Sequence, residues 1–278
     1  MTIPPIIALT TLLMIVVAVV FRVIYWPQLR LNRIYRKEFP DNWLEILRRR
    51  LLFYGNLPEK LQHQLQNLIK VFLNDKRFVG CGGQEINDEI RVTIAAQACL
   101  LLLNRNSSQY NQLQSVLVYP STFVATRQVR DDLGLVSTNH TALLGESWSQ
   151  GKVVLAWDNV ENGVLNLQDG HNVVLHEFAH QLDHETGATN GAPVLQTRGA
   201  YKSWAQVFSK EFEALQHQAS HQQQSLMDHY GATNPAEFFA VATETFFECP
   251  LQMHRNHEEL YRELVNFYRV DPAGWITS

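Results

Sequence analysis

The chain has 278 residues, of which 46% are hydrophobic and 18% are charged, with 14 glycines and 10 prolines. That balance excludes disordered, collagen-like and low-complexity proteins, and it leaves ample material for a hydrophobic core. The 23 basic and 27 acidic residues give a net charge of −4, which does not favour nucleic acid as a partner, and the three cysteines are typical of a reducing compartment.

The N-terminal segment is the first unusual feature. The first 21 residues carry no charged side chain, and residues 3–21 are almost wholly apolar. As a helix this stretch would span about 29 Å, enough to cross the hydrocarbon layer of a membrane. Arg22, Tyr25 and Trp26 follow, and such side chains are typical of a membrane interface. A cleaved signal peptide would need a basic start and a small-residue cleavage site, and this segment shows neither. We therefore predict that residues 1–26 are a retained transmembrane anchor.

Basic residues lie on one side of the predicted span only. Five of them follow it closely: Arg22, Arg30, Arg33, Arg36 and Lys37. By the positive-inside rule, this asymmetry predicts that the rest of the chain faces the cytoplasm. The predicted location is therefore the inner (cytoplasmic) membrane, with a single pass.

The remaining elements divide into two predicted regions. Residues 27–75 are predicted to be helical, because apolar residues recur there at spacings of three and four. We expect this N-terminal region to pack on the catalytic domain. Residues 76–278 contain no Gly/Ser-rich linker, and we treat them as one domain. Its predicted strands are 115–119 and 153–157, and its predicted helices are 89–103, 171–183, 200–218, 234–248 and 258–270. Strands followed by several helices indicate an α+β domain with a small sheet.

The segment HEFAHQLD carries the motif that indicates chemistry. His176 and His180 are about one helical turn apart on the same face, so both rings can reach one metal ion. Glu177 lies about 100° round the helix axis, where it can take a proton from a water on the metal. A catalytic zinc site has three protein ligands and one open position, so the motif predicts a zinc site that needs one more ligand.

The third ligand is expected in the segment DHYGATNPAEFFAVATETFFECP. Glu237 and Glu244 fall on one stripe of a predicted helix, about 10 Å apart along its axis, so both cannot bind the same ion. Residues 234–237 also form a good N-cap with a capping-box glutamate, which offers Glu237 a purely structural role. From the pattern alone, the two glutamates are equal candidates.

Two polar residues at the end of the HExxH helix are further candidates. Asp183 either orients an imidazole from behind or is a solvated charge. His184, eight residues after His176, either comes near the site or is a surface residue.

The motifs HEFAHQLD and YGATNPAE together resemble the Mlc titration factor A family of zinc peptidases, which are zincins distantly similar to the catalytic domain of lethal factor. The resemblance covers residues 50–272. It includes the segments LPEKLQHQL, FLNDKRFVG, VLVYPSTFV, DDLGLV, GESWSQGKVVLAW and NFYRVDP.

The resemblance implies a role for each residue of the site. It implies that His176, His180 and Glu237 bind Zn²⁺, which decides between the two glutamates in favour of Glu237. It also implies that Glu177 is the catalytic base and that Tyr230 stabilises the oxyanion, a reasonable task for a phenol beside a polarised carbonyl.

The sequence therefore predicts an α+β, zincin-like metallopeptidase domain with a small sheet and an active-site HExxH helix, preceded by an N-terminal transmembrane helix. The family implies aminopeptidase activity on short peptides, and the strand at 153–157 is our candidate for pairing with an extended peptide substrate; an internal strand is the alternative. The family also implies a protein partner, a glucose-responsive repressor. The alternative function is thus a membrane-tethered regulator that sequesters a repressor of sugar uptake, although an intact HExxH glutamate favours the enzyme.

Overall fold

A computed structural model describes residues 5–105, 110–121, 124–130, 136–142, 151–165 and 169–276, with only the backbone for 124–130 and 136–142. Most of DDLGLV and all of GESWSQ, two segments that carry the resemblance, lie outside these residues. The chain forms two compact units, Met1–Pro40 and Asp41–Ser278. The predicted division at residues 26 and 75 stays a prediction.

The first unit is a run of helix. It comprises α1 (Pro5–Val20), a π-helical turn (Phe21–Tyr25) and α2 (Trp26–Tyr35). Pro27 has no N–H to donate to the preceding turn and its ring crowds that turn, which accounts for the wider π-helical geometry just before it.

This helical run is apolar and exposed. The side chains of residues 9–30 are all exposed. Leu9–Tyr35 is the one helix in the described part of the chain that is long and apolar enough to cross a membrane, and an 18-residue window of it has a mean hydropathy of 2.2. The guanidinium of Arg22 lies 5.9 Å from the Trp26 ring centroid, so a cation and an aromatic ring meet where the apolar stretch ends. The predicted apolar N-terminal helix is confirmed, whereas its role as a retained anchor stays a prediction.

The second unit contains nine α-helices and five strands among the residues described, besides short 3₁₀ turns. The helices are α3 (Asp41–Arg50), α4 (Glu59–Asp75), α5 (Asp88–Leu100), α6 (Trp157–Leu165), α7 (Val173–Asp183), α8 (Arg198–Ser220), α9 (Pro235–Glu248), α10 (Pro250–Asn256) and α11 (Glu258–Tyr268). The strands are β1 (Arg77–Gly80), β2 (Ser115–Tyr119), β3 (Val124–Arg130), β4 (Val136–Ala142) and β5 (Lys152–Ala156).

The sheet is small and parallel. Strand β2 lies between β1 and β5, and its Val116 pairs with Phe78 on one side and with Val153 on the other. Val118 and Leu155 are also fully buried, as expected for a parallel sheet covered by crossover helices. Strands β3 and β4 form a separate antiparallel pair. The protein is therefore a mixed helical protein with a three-stranded parallel sheet. The predicted small sheet among helices is confirmed, whereas its parallel strand order was not predicted.

An aromatic core fixes the two helices that matter most for function, α7 and α9, which pack against each other. On α7, the ring of Phe178 is 5.7 Å from that of Phe72 and 5.0 Å from that of Tyr110. On α9, the ring of Phe239 is 5.7 Å from that of Trp204. Truncating a buried aromatic of this kind typically costs about 3–5 kcal/mol, so both helices are held firmly.

Five elements were missed by the sequence reasoning: β1, β3, β4, α6 and α10. Strand β1 has four residues and begins one residue after α4 ends, so no turn signal separates them. Helix α6 contains two asparagines and a glycine, which are poor helix formers and indicate a turn rather than a helix. Helix α10 restarts at Pro250 directly after α9, at the first-turn position that proline favours.

Candidate metal centre

Helix α7 presents the two histidines of the HExxH motif. The helix begins after Asn172, whose side-chain oxygen accepts hydrogen bonds from the N–H groups of Val174 and Leu175 at 3.1 and 3.0 Å. Such an N-cap satisfies N–H groups that the first helical turn leaves without partners. One turn apart, His176 and His180 face the same way, with their Nε2 atoms 3.2 Å from each other.

Helix α9 brings Glu237 to this pair. Asn234 caps the helix by accepting hydrogen bonds from the N–H groups of Ala236 and Glu237, both at 3.0 Å. The carboxylate of Glu237 reaches across to α7, where its Oε2 lies 3.0 Å from His176 Nε2 and 3.3 Å from His180 Nε2. Asn234 therefore serves as the cap, and the side chain of Glu237 faces the histidines.

These three side chains form a triangle that one metal ion could occupy. Zinc bonds to nitrogen and oxygen are about 2.0–2.1 Å long, so the corners of a tetrahedral site are about 3.3 Å apart. The three ligand atoms are separated by 3.0, 3.2 and 3.3 Å. Among the described residues, this is the one group of three His, Cys, Asp or Glu side chains arranged to hold an ion.

The charges of the triangle also suit a cation. Burial opposes the charge on His176, but hydrogen bonds with Glu237 and Glu244 raise its pKa to about 10. Burial likewise opposes the charge on Glu237, but hydrogen bonds with both histidines lower its pKa to about 2. Burial lowers the pKa of His180. A positive charge is therefore favoured at the centre of the triangle, and a metal ion would supply it in place of a proton.

Glu244 supports His176 from behind. Its Oε1 lies 2.7 Å from His176 Nδ1, and its Oε2 accepts a hydrogen bond from the backbone N–H of Asn172. Binding Nδ1 in this way fixes the ring and turns Nε2 toward Glu237. Glu237 and Glu244 are seven positions apart, which is about two turns of α9. One carboxylate therefore lies at each ring nitrogen of His176.

Asn172 and Glu248 belong to the same arrangement, although sequence reasoning assigned neither of them a role. The Asn172 side chain donates a hydrogen bond to Glu248 Oε1 at 2.9 Å, and burial raises the pKa of Glu248 to about 8. An asparagine just before an apolar helix is a recognisable N-cap, so Asn172 could have been found from its sequence position. Its tie to Glu248 could not, because 76 residues separate them.

Glu177 and Tyr230 lie at the same site. Glu177 is buried on α7, and Tyr230 lies in a 3₁₀ turn (His229–Ala232) with its ring centroid 6.0 Å from that of His176. Burial raises the pKa of Tyr230, and the charges of Glu237 and Glu177 raise it further, which keeps the phenol protonated. The Tyr230 side chain is 55% exposed, so it borders the site on the solvent side. All five predicted site residues are thus brought together.

The two residues at the end of α7 have other partners. Asp183 is fully buried, which excludes the solvated charge considered above, and its Oδ2 accepts a hydrogen bond from the N–H of Gly191 at 2.7 Å. His184 Nδ1 lies 3.1 Å from Thr189 Oγ1. Neither residue is in the group of three that could hold an ion.

Gly191 links α7 to the start of α9. Its φ of +76° favours glycine, and a Cβ there would lie 2.3 Å from the carbonyl oxygen of Pro235, two residues before Glu237. We expect Gly191→Ala to lower the free energy of unfolding by about 2–4 kcal/mol, measured by denaturant titration. Gly187→Ala is the control: its φ is +84° with no atom within 4 Å of the added Cβ, so it should lose only about 1 kcal/mol. Equal losses would contradict the proposed close contact.

Comparisons with known proteins cover most of the chain. Residues 26–269 match the family described as glucose-regulated metallo-peptidase M90. The chain is 40% identical over 263 residues to uncharacterized protein slr2042 of Synechocystis sp., which covers 94% of this chain and 96% of that protein. It is 32% identical over 240 residues to Mlc titration factor A of Yersinia pestis and of Yersinia pseudotuberculosis, over 85% of this chain and 87% of theirs. The resemblance found in the motifs is therefore confirmed.

Proposed function

The chain belongs to the glucose-regulated metallo-peptidase M90 family, and from this premise we propose that it is a zinc-dependent peptidase whose metal is bound by His176, His180 and Glu237. The observation that carries the proposal is the triangle of two imidazole nitrogens and one carboxylate oxygen. Imidazole ligands favour zinc over magnesium or calcium, and three protein ligands leave the fourth position open for water. This is the ligand set of a gluzincin-type site on a zincin-like domain.

The residues around the metal would divide the chemistry among them. When bound, zinc would polarise the scissile carbonyl and acidify a water. Glu177 would take a proton from the attacking water and pass it to the leaving amine. The Tyr230 phenol donates a hydrogen bond to the developing oxyanion, and Glu244 keeps the His176 ring in place throughout.

Strand β5 is the proposed place for the peptide substrate. It is an edge of the three-stranded sheet in the part of the chain that the structure describes, and it packs against α7. An extended peptide can add to such an edge through backbone hydrogen bonds. The scissile bond of a peptide bound in this way would lie beside α7, which bears His176 and His180.

The proposal is tested with the purified full chain in detergent. Metal analysis should give one zinc per chain, and alanine 4-nitroanilide should be hydrolysed faster than its N-acetylated counterpart if the enzyme is an aminopeptidase. Faster cleavage of the acetylated substrate would indicate an endopeptidase. Stoichiometric zinc without hydrolysis of either substrate, or of longer peptides, would overturn the enzymatic proposal.

One observation favours a second candidate function. The relatives from Yersinia are named Mlc titration factor A, a name that suggests a regulatory protein partner. A membrane-tethered protein that sequesters a transcriptional repressor of sugar uptake is therefore the alternative. The Glu177→Gln variant separates the two functions, because sequestration needs no general base and would survive this change.

The N-terminal helix is proposed to be a retained anchor in the inner membrane. Leu9–Tyr35 has the length and the apolar composition that a membrane span requires. We expect a chain that begins at Gln28 to be soluble without detergent and still to bind one zinc, since the candidate metal centre lies wholly within Asp41–Ser278. Gel filtration and metal analysis check this. Aggregation of the shortened chain, beside a well-behaved full chain in detergent, would show that the segment is needed for folding.

The second unit is proposed to face the cytoplasm. Arg30 and Arg33 on α2, and Arg36 directly after it, follow the apolar stretch. Basic residues that flank a membrane span are retained on its cytoplasmic side. A reporter active only in the cytoplasm and fused after Ser278 should therefore be active. Activity of a periplasm-specific reporter at the same position would reverse the orientation.

A further inference from the structure

A cavity of about 950 Å³ lies between the loop before α8, the first turns of α8 and the end of α11. Trp204 and Phe267 give it apolar walls, and Val194 stands exposed at its edge. None of the three candidate metal ligands lines it. Its volume is in the range of small-molecule sites, which span about 300–1,000 Å³, so it is a separate place where a ligand could bind.

Arg105 is the distinctive residue of this cavity. Its guanidinium carbon lies 4.1 Å from the ring centroid of Phe267 and 6.0 Å from that of Tyr268, so stacking fixes the plane of the charged group. Its Nη1 atom is shielded from solvent and has no hydrogen-bond partner among the described residues. Burial lowers the pKa of Arg105, so its neighbours do not fully compensate the cost of burying the charge.

The other charged residues that line the cavity compensate the charge of Arg105 only in part. Glu185 favours the charged form of Arg105, but Arg269 opposes it. Arg269 ends α11 with a φ of +56° and thereby adds a second cation to the wall. Glu263 forms a hydrogen bond with Ser203. Among the residues described, the neighbours of this buried cation do not fully offset the cost of burying its charge, and an anion that enters the cavity would offset the remainder.

We propose that this cavity binds a small organic carboxylate with an apolar group, and that Arg105 is its counter-charge. A carboxylate fits the planar guanidinium through two parallel hydrogen bonds, which is the strongest form of this contact. The apolar group of the ligand would lie against Trp204, since one wall of the cavity is apolar. A phosphate dianion suits the site less well, because it would leave its additional oxygens against that apolar wall.

The test compares 3-phenylpropionate with 3-phenylpropionamide, which has the same shape and no charge. With the full chain in detergent and its metal bound, calorimetry should show that the acid binds and that the amide binds about tenfold more weakly or worse. Arg105→Met should bind the acid more weakly than the unmodified chain by a similar factor. Arg262→Gln is the control: this arginine lies on α11 outside the cavity lining, is exposed and pairs with Glu258, so its loss should leave binding unchanged.

Two further measurements keep the test decisive. Thermal unfolding of Arg105→Met checks its fold, which should persist because the change removes a buried charge whose burial cost its described neighbours do not fully offset. If that variant does not fold, Arg105→Lys keeps the charge but loses the two-pronged contact, and it should weaken binding of the acid several-fold. The proposal is overturned if the acid fails to bind, if acid and amide bind equally, or if folded Arg105 variants keep full affinity, as they would for an acid held by the zinc.

Discussion

Replacing Glu177 with glutamine is expected to reduce peptide hydrolysis by about 10²–10⁴-fold while zinc remains bound. Glutamine has the same size, but its amide cannot accept a proton at neutral pH. Glu177 is buried beside His176 and lies outside the group of three that could hold the ion, so the change should not disturb the ligands. Turnover of an aminoacyl anilide and metal content, measured on the same sample, check both parts of the prediction.

The matched control for this variant is Glu213→Gln. Glu213 is exposed on α8, so the same chemical change there should leave both turnover and metal content unaltered. If Glu177→Gln retained activity within a few-fold of the unmodified chain, the proposed general base would be wrong. If it lost its zinc as well, the loss of activity would reflect the metal site rather than proton transfer.

Glu237→Gln is expected to weaken zinc binding by more than about 100-fold, because a neutral amide replaces an anionic ligand on a dication. Glu244→Gln should weaken it by only about 10–100-fold, the usual cost of losing a carboxylate that orients a ligating histidine. If Glu237 only capped its helix, Glu237→Gln would lower the free energy of unfolding by less than about 1 kcal/mol, since Asn234 remains as the cap and glutamine also serves in a capping box.

Competition with a chelator of known affinity measures both variants on one scale. The two glutamates lie on the same helix and are both largely buried, so each substitution is the control for the other. The reverse order of affinities, with zinc lost from Glu244→Gln and kept by Glu237→Gln, would show that the third ligand has been assigned to the wrong turn of α9.

The local parts of the site could be predicted from the sequence. The spacing of His176 and His180 follows from one helical turn, and the start of α9 follows from Asn234 and Pro235. The choice between Glu237 and Glu244 could not be made from periodicity, because both lie on one stripe of the helix. It depends on how α9 packs against α7, which brings one glutamate to His176 Nε2 and the other to its Nδ1.

Short elements and distant partners were beyond the sequence reasoning. Strand β1 is held in place by pairing with β2, whose first residue lies 38 positions further along the chain. The four residues of β1 carry little strand signal of their own. The pairing of Asn172 with Glu248 and the stacking of Arg105 on Phe267 likewise join residues that are far apart along the chain. Such contacts are set by tertiary packing rather than by local propensity.

The separation of the three candidate ligands along the chain has a consequence for stability. His180 and Glu237 are 57 residues apart, so an ion between them would act as a cross-link that closes a long loop. Because the unfolded chain does not hold these groups together, binding energy becomes folding energy, worth about 2.7 kcal/mol when free metal is at 100 times the dissociation constant. The loop enclosed by this cross-link contains all of α8, so the cohesion of this part of the second unit would follow the supply of metal in the cell.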